Sequence, residues 1–118
     1  KSDKIFMETA LRETREEIGV DTNSFITIKE LSNIYIPPSN FMVYPFLFLS
    51  NCNLDFSIDK KEVKDLITPT IDQILSFEIL NGEFGINKTI NPYFDFQSKR
   101  IWGATAMILK ELIDLLVK

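Results

Sequence analysis

Two stretches of helical periodicity, one at each end, bracket a middle that reads as strands and turns, and that order limits the chain to a mixed α/β architecture. Met7, Ala10/Leu11, Thr14 and Ile18 recur at helical spacing over about Lys4 to Ile18. Ser2 or Asp3 suits the start of that helix, and Gly19 suits the position just past its end. At the other end, Trp102 to Val117 predicts a helix whose buried stripe is Ala106, Leu109, Leu112/Ile113 and Leu116. Between them, Phe25–Ile36 reads as one strand. Pro37-Pro38-Ser39-Asn40 breaks it as a loop, and Phe41–Leu49 reads as a strand buried on both faces. Asn51–Ile58 reads as turn and edge, and Glu62–Thr68 fits strand or helix. Thr70 is placed to cap a short helix over Ile71–Leu75. Asn81-Gly82 signals a hairpin turn between Phe77–Leu80 and Phe84–Ile86, and Tyr93–Phe96 predicts a further strand. With 118 residues and no linker, repeat or low-complexity tract, one domain with a mixed sheet packed between helices is expected.

Composition excludes several chemistries. The chain has no histidine, which removes Ser-His and Cys-His catalysis and His-containing zinc sites. Its single cysteine, Cys52, cannot form an internal disulfide, fits a reducing compartment such as the cytoplasm, and reads as a bystander thiol. A net charge of −4 without a basic run argues against binding a long nucleic acid. No apolar stretch approaches the ~20 residues of a membrane helix, so no membrane partner is expected.

The informative segment is Arg12-Glu13-Thr14-Arg15-Glu16-Glu17-Ile18-Gly19-Val20. On a helix, Glu13, Glu16 and Glu17 stand at i, i+3 and i+4 and share one face, each pair repelling by roughly 0.2–0.5 kcal/mol. Arg12 can pair with Glu16 and orient it, but one cation does not neutralise three acids. A hard divalent cation, Mg²⁺ or Mn²⁺, would remove the repulsion, and such an ion suits phosphoryl chemistry. The bland alternative is a solvated acidic helix face.

These residues resemble the core of the Nudix box, Arg-Glu-(aliphatic)-x-Glu-Glu-x-Gly-(aliphatic). Its five fixed residues would arise by chance in a chain of this length with probability on the order of 10⁻⁴ at average usage. Further segments resemble the coenzyme A pyrophosphatase branch: Thr9-Ala10-Leu11-Arg12-Glu13-Thr14, Tyr35 to Phe41 followed by Val43-Tyr44-Pro45-Phe46, Glu62-Val63, and Ile101-Trp102-Gly103-Ala104-Thr105-Ala106. The resemblance implies an α/β/α sandwich and hydrolysis of a small-molecule nucleoside diphosphate linked to another moiety. In that branch the substrate is coenzyme A, and the products are 3′,5′-ADP and 4′-phosphopantetheine. It implies Glu13 and Glu17 as main metal ligands, Glu16 as a further ligand or the group that orders the attacking water, and Arg12 as the residue orienting a carboxylate. A homodimer is compatible with it.

There are departures from the family pattern. The glycine that opens the box would fall 14 residues before Arg12, upstream of Lys1, and the acid expected eight residues before Arg12 is Lys4. The expectation is a Nudix-like fold lacking its N-terminal portion. An ADP-ribose or dinucleotide pyrophosphatase, or an inactive Nudix-fold binding module, are the alternatives. Other candidates carry two readings each. Ser39, Asn40 and Phe41 line a substrate cleft or form a plain connection and core. Trp102 packs in the core or touches the substrate. Tyr44 packs or stacks on a base. Glu62 serves as a late metal ligand or base, or sits on a solvated turn. Lys99-Arg100 bind phosphate or lie on the surface.

Overall fold

The computed structural model describes residues 2–37, 39–51, 53–63 and 66–117, so Lys1, Pro38 and Cys52 lie outside the described residues. In chain order the elements are α1 (Ser2–Ile18), a 3-10 turn (Thr22–Ser24), β1 (Ile26–Glu30), β2 (Ile34–Ile36), β3 (Phe41–Val43), β4 (Phe46–Leu49), α2 (Ile71–Leu75), β5 (Leu80–Phe84), β6 (Thr89–Phe96), β7 (Lys99–Trp102) and α3 (Gly103–Leu116). The fold is mixed α/β as expected, and the strand pairings are antiparallel. The chain divides into two compact units, Lys1–Leu31 with Tyr44–Ile67, and Ser32–Val43 with Thr68–Lys118. No helix among the described residues is long and apolar enough to cross a membrane.

In the first unit α1 spans Ser2–Ile18, and the expected cap from Ser2 or Asp3 falls on side chains outside those described. Its stripe of Met7, Ala10, Leu11, Thr14 and Ile18 is half-buried. Phe6 stacks on Tyr44 with centroids 4.0 Å apart, which assigns Tyr44 a packing role. Beyond Gly19, Val20 is buried and Asp21 caps the 3-10 turn by accepting the Asn23 N–H at 2.9 Å. β1 pairs with β4, with an irregularity between Thr27 and Lys29.

Two strand expectations are corrected. The single strand over Phe25–Ile36 divides into β1 and β2, which belong to different units. Leu31 is buried and donates its N–H to the Pro45 carbonyl at 3.0 Å, while Ser32 donates its N–H to the Glu111 carboxylate at 3.0 Å. The Leu31 bond continues the β1–β4 register by one residue, and the strand breaks between Leu31 and Ser32. The run Phe41–Leu49 likewise divides at Tyr44-Pro45. β3 exposes Phe41 and Met42, and no residue of β4 is fully buried, so neither strand is buried on both faces, and Phe41 is 69% exposed rather than core. The described residues of Asn51–Ile58 and Glu62–Thr68 form neither strand nor helix.

In the second unit β5, β6 and β7 form a three-stranded meander, with α3 packed on β6 and β7. Ile34, Ile74, Phe84, Phe94, Phe96, Ile101 and Ala106 are its buried residues among those described, and Phe77 stacks on Phe94. Leu116, expected in the buried stripe of the last helix, is 39% exposed because it sits in the final turn. The hairpin is also corrected. Asn81 and Gly82 lie inside β5, and the turn falls at 85–88, where Gly85 (φ +76°) and Lys88 (φ +53°) adopt the left-handed conformation. Gly82 answers to packing instead: a Cβ there would stand 2.8 Å from Arg100 Nη1 and 2.9 Å from Tyr93 Cε1. β7 was not foreseen. Gln97 and Ser98, both at positive φ, turn the chain back into it.

α2 forms where expected. Thr70 accepts the Gln73 N–H at 3.1 Å, and the Gln73 side chain accepts the Thr70 N–H at 2.8 Å, a reciprocal capping box. Thr70→Ala removes one half of it, and thermal unfolding should report a loss of about 1 kcal/mol. An unchanged melting temperature would show that α2 is held by Ile74 packing alone.

Candidate functional site

α1 carries the acids. Glu13 and Glu16 are exposed and Glu17 is half-buried. Arg12 Nη1 donates to Glu16 Oε1 at 3.1 Å, the i,i+4 pair expected from spacing. Both side chains are more than half exposed, so the pair orients Glu16 and adds only a few tenths of a kcal/mol. Arg15 donates to Thr22 Oγ1 at 2.8 Å and is committed there.

The end of α1 is built by a distant segment. The Ile18 carbonyl accepts the Ser57 N–H at 2.8 Å, and the Glu17 carbonyl accepts the Asp59 N–H at 2.7 Å. Two of the helix's terminal acceptors are thereby satisfied by residues about 40 positions downstream. The approach requires Gly19, at φ +70°, because a Cβ there would meet the Ser57 carbonyl oxygen at 2.7 Å. The segment then tightens into a turn. The Asp59 carbonyl accepts from Glu62 N (3.0 Å) and Val63 N (2.8 Å), and Asp59 Oδ1 accepts from Lys61 N at 3.0 Å.

The charges converge on Glu17. Partial desolvation, then the negative charges of Glu13, Glu62, Glu16 and Asp59, hold its carboxyl above the ordinary value of 4.5. A raised folded-state value means that the native state binds this proton more tightly than the unfolded chain. The associated stability is therefore present below 4.5 and is lost as pH rises through the raised value. In chelator-treated protein, wild type should lose stability relative to Glu17→Gln as pH rises from 4.5 towards neutrality. Parallel melting profiles for the two proteins would contradict this.

The donors are all carboxylate oxygens, the ligand type that suits Mg²⁺ or Mn²⁺. Among the described residues, however, no three Asp, Glu, Cys or His side chains gather closely enough to hold a metal ion. Glu16 turns to Arg12. The donor set fits such a cation in kind, without the convergence that the spacing allowed.

The remaining candidates fall as follows. Glu62 belongs to the turn on α1 and acts electrostatically on Glu17. Asp59 was missed by sequence reasoning, and its only signal was an Asp opening the polar run Asp59-Lys60-Lys61-Glu62. Ser39, Asn40 and Phe41 lie in the β2–β3 hairpin. The Ser39 hydroxyl donates to the Ile36 carbonyl at 2.7 Å, and the Tyr35 hydroxyl donates to Asn40 Oδ1. Trp102 ends β7, stacked on Phe84 at 4.3 Å yet 45% exposed, so one of its faces packs. Arg100 does not stand ready for phosphate: its guanidinium lies 4.0 Å from the Phe84 ring centroid and donates to the Glu83 carbonyl at 2.9 Å. The second unit holds a cleft of about 660 Å³ between β6 and α3, whose acids Glu111 and Asp114 are engaged by Ser32 and Lys110.

No family model matches the chain, and no solved structure matches it. A curated protein of Yersinia enterocolitica, described as the uncharacterized Nudix hydrolase NudL, is 28% identical over 116 residues, covering 93% of this chain and 57% of the relative. This similarity supports the Nudix superfamily. The mixed α/β make-up, with three helices and several sheets, is compatible with a Nudix-like fold. The chain spans somewhat over half the length of the Nudix relative it matches.

Proposed function

We propose that this chain is the acid-bearing part of a Nudix diphosphatase that hydrolyses a nucleoside diphosphate linked to another moiety. Coenzyme A is the preferred substrate, and the products are 3′,5′-ADP and 4′-phosphopantetheine. The observation that supports the reading most is the Arg12–Val20 segment on a helix closed by Gly19, with the charges of four other acids felt at Glu17. In this reading Glu13 and Glu17 are the main ligands of Mg²⁺ or Mn²⁺, and Glu16 is a further ligand or the group that orders water. When bound, the cation supplies Lewis-acid polarisation of a phosphate oxygen. Arg12 holds Glu16 in place through its guanidinium. The raised proton affinity of Glu17 comes first from its partial desolvation and then from neighbours that share its charge.

The test uses the full-length protein with Mg²⁺ or Mn²⁺ and separate samples of coenzyme A, ADP-ribose and a dinucleotide. Release of 3′,5′-ADP from coenzyme A in preference to hydrolysis of the others is the expected result. Preference for ADP-ribose or the dinucleotide would keep the chemistry and overturn the substrate. A second reading, a catalytically silent Nudix-fold binding module, is favoured by Lys4 at an expected acid position and by acids that do not gather. Tight substrate binding without turnover would establish it.

A further inference from the structure

The cleft in the second unit has two ends of different character, because it follows one stripe of α3. Gly103, Ala106, Met107, Lys110, Glu111 and Asp114 line it, at spacings of three and four that place them on one face of the helix. The first half of the stripe carries no charge, and the second half is charged throughout. Pro92 and Phe94, two apart on β6, share the strand face that lines the cleft, and Ile79 joins them. Phe94 and Ala106 are buried, whereas Met107 and Ile79 are more than half exposed, so the apolar end is open. A volume of about 660 Å³ is that of a small-molecule site.

The charged end is short of cations. Lys110 is held by Asp114, with its ammonium 2.7 and 2.9 Å from the two carboxylate oxygens. Glu111 is half-buried, and its carboxylate accepts from neutral donors, the Ser32 N–H (3.0 and 3.2 Å) and the Ser32 hydroxyl (3.1 Å). Those bonds fix the carboxylate without cancelling its charge, and no cation pairs with it among the described residues. α3 has no basic residue in its last turn, so the negative end of the helix dipole stands uncompensated beside it.

We propose that this cleft binds a small organic cation, an apolar body carrying a primary ammonium group, with the body against Met107 and Phe94 and the ammonium on Glu111. Met107 and Glu111 are one helical turn apart, about 6 Å along the axis, a span that a short alkyl chain between ring and ammonium covers. An anion on the same body would bring like charge to Glu111 and to the helix end. The inference stands on the second unit alone and does not depend on the diphosphatase reading.

The experiment titrates the full-length protein with phenylbutylamine and, separately, with phenylbutyrate, by calorimetry and by the shifts of backbone amides in NMR spectra. The amine is expected to bind with a Kd of about a millimolar or below, shifting amides of α3 and β6. It should bind about tenfold more tightly than the carboxylate. Glu111→Gln keeps an acceptor for Ser32 and should cut that preference to about twofold. Met107→Lys changes an exposed position and sets an ammonium one turn before Glu111, so amine binding should be lost with the fold intact. Equal affinity for amine and carboxylate would overturn the proposal. So would a preference that survives Glu111→Gln, which would trace to the net charge of −4 rather than to the cleft. If Glu111→Gln does not fold, Met107→Lys decides, and undiminished amine binding in that variant would overturn the proposal. Absence of amine binding in wild type would overturn it as well; a wild-type dimer that Met107→Lys turns into monomers in sedimentation would then assign the cleft to a second copy of the chain.

Discussion

On the proposed diphosphatase reading, Glu17→Gln should reduce metal-dependent hydrolysis by the full-length protein about 10²–10³-fold, a loss of roughly 3–4 kcal/mol of transition-state stabilisation. The substitution keeps the size and shape of the side chain and removes one charge. Glu17 is held above its ordinary value by partial desolvation and then by the charges of Glu13, Glu62, Glu16 and Asp59, and a counter-cation there would offset that repulsion. The same change should relieve repulsion in the metal-free protein, leaving Glu17→Gln as stable as wild type or more so above pH 4.5. Lost activity together with retained or increased stability is the signature of an acid kept for chemistry. Retained activity would remove Glu17 from the metal site, and parallel losses of both would indicate a folding role.

The second large effect concerns Gly19. Gly19→Ala should destabilise the first unit by about 2–4 kcal/mol in urea unfolding. A residue with a Cβ at φ +70° costs roughly 1–2 kcal/mol. The new methyl would also lie 2.7 Å from the Ser57 carbonyl oxygen, against backbone rather than a flexible side chain. The 57–59 strip would have to retreat, and the bonds from Ser57 and Asp59 to α1 are each worth about 1 kcal/mol. A cost below about 1 kcal/mol would mean that the Ser57 carbonyl yields to the methyl without loss of the bonds to α1.

How much of this was legible in the sequence differs from element to element. α1, α2 and α3 were visible because their signals are local: a 3.6-residue period, a Thr70-Gln73 capping pair, a glycine past the last turn. The face shared by Glu13, Glu16 and Glu17, and the Arg12–Glu16 pair, follow from the same local geometry. The strand boundaries were not visible because they depend on distant partners. Nothing around Leu31 announces that Pro45 will accept its N–H, and nothing around Ser32 announces Glu111, 79 residues on. Asn81-Gly82 misled because glycine has two uses. Here it admits Tyr93 and Arg100, while the turn passed to Gly85 and Lys88. Asp59 was silent for the reason that hid the strand breaks: its importance lies in which carbonyl it reaches.

That reach has a consequence for synthesis. Because the final carbonyls of α1 wait for amides near position 58, a nascent chain halted around residue 50 would present the acids on a frayed coil end. The helix places Glu13, Glu16 and Glu17 on one face locally, but Asp59 and Glu62 join that end of α1 only when the later stretch has left the ribosome and folded back. An isolated peptide spanning only the glutamate segment should bind cations no better than any other acidic peptide.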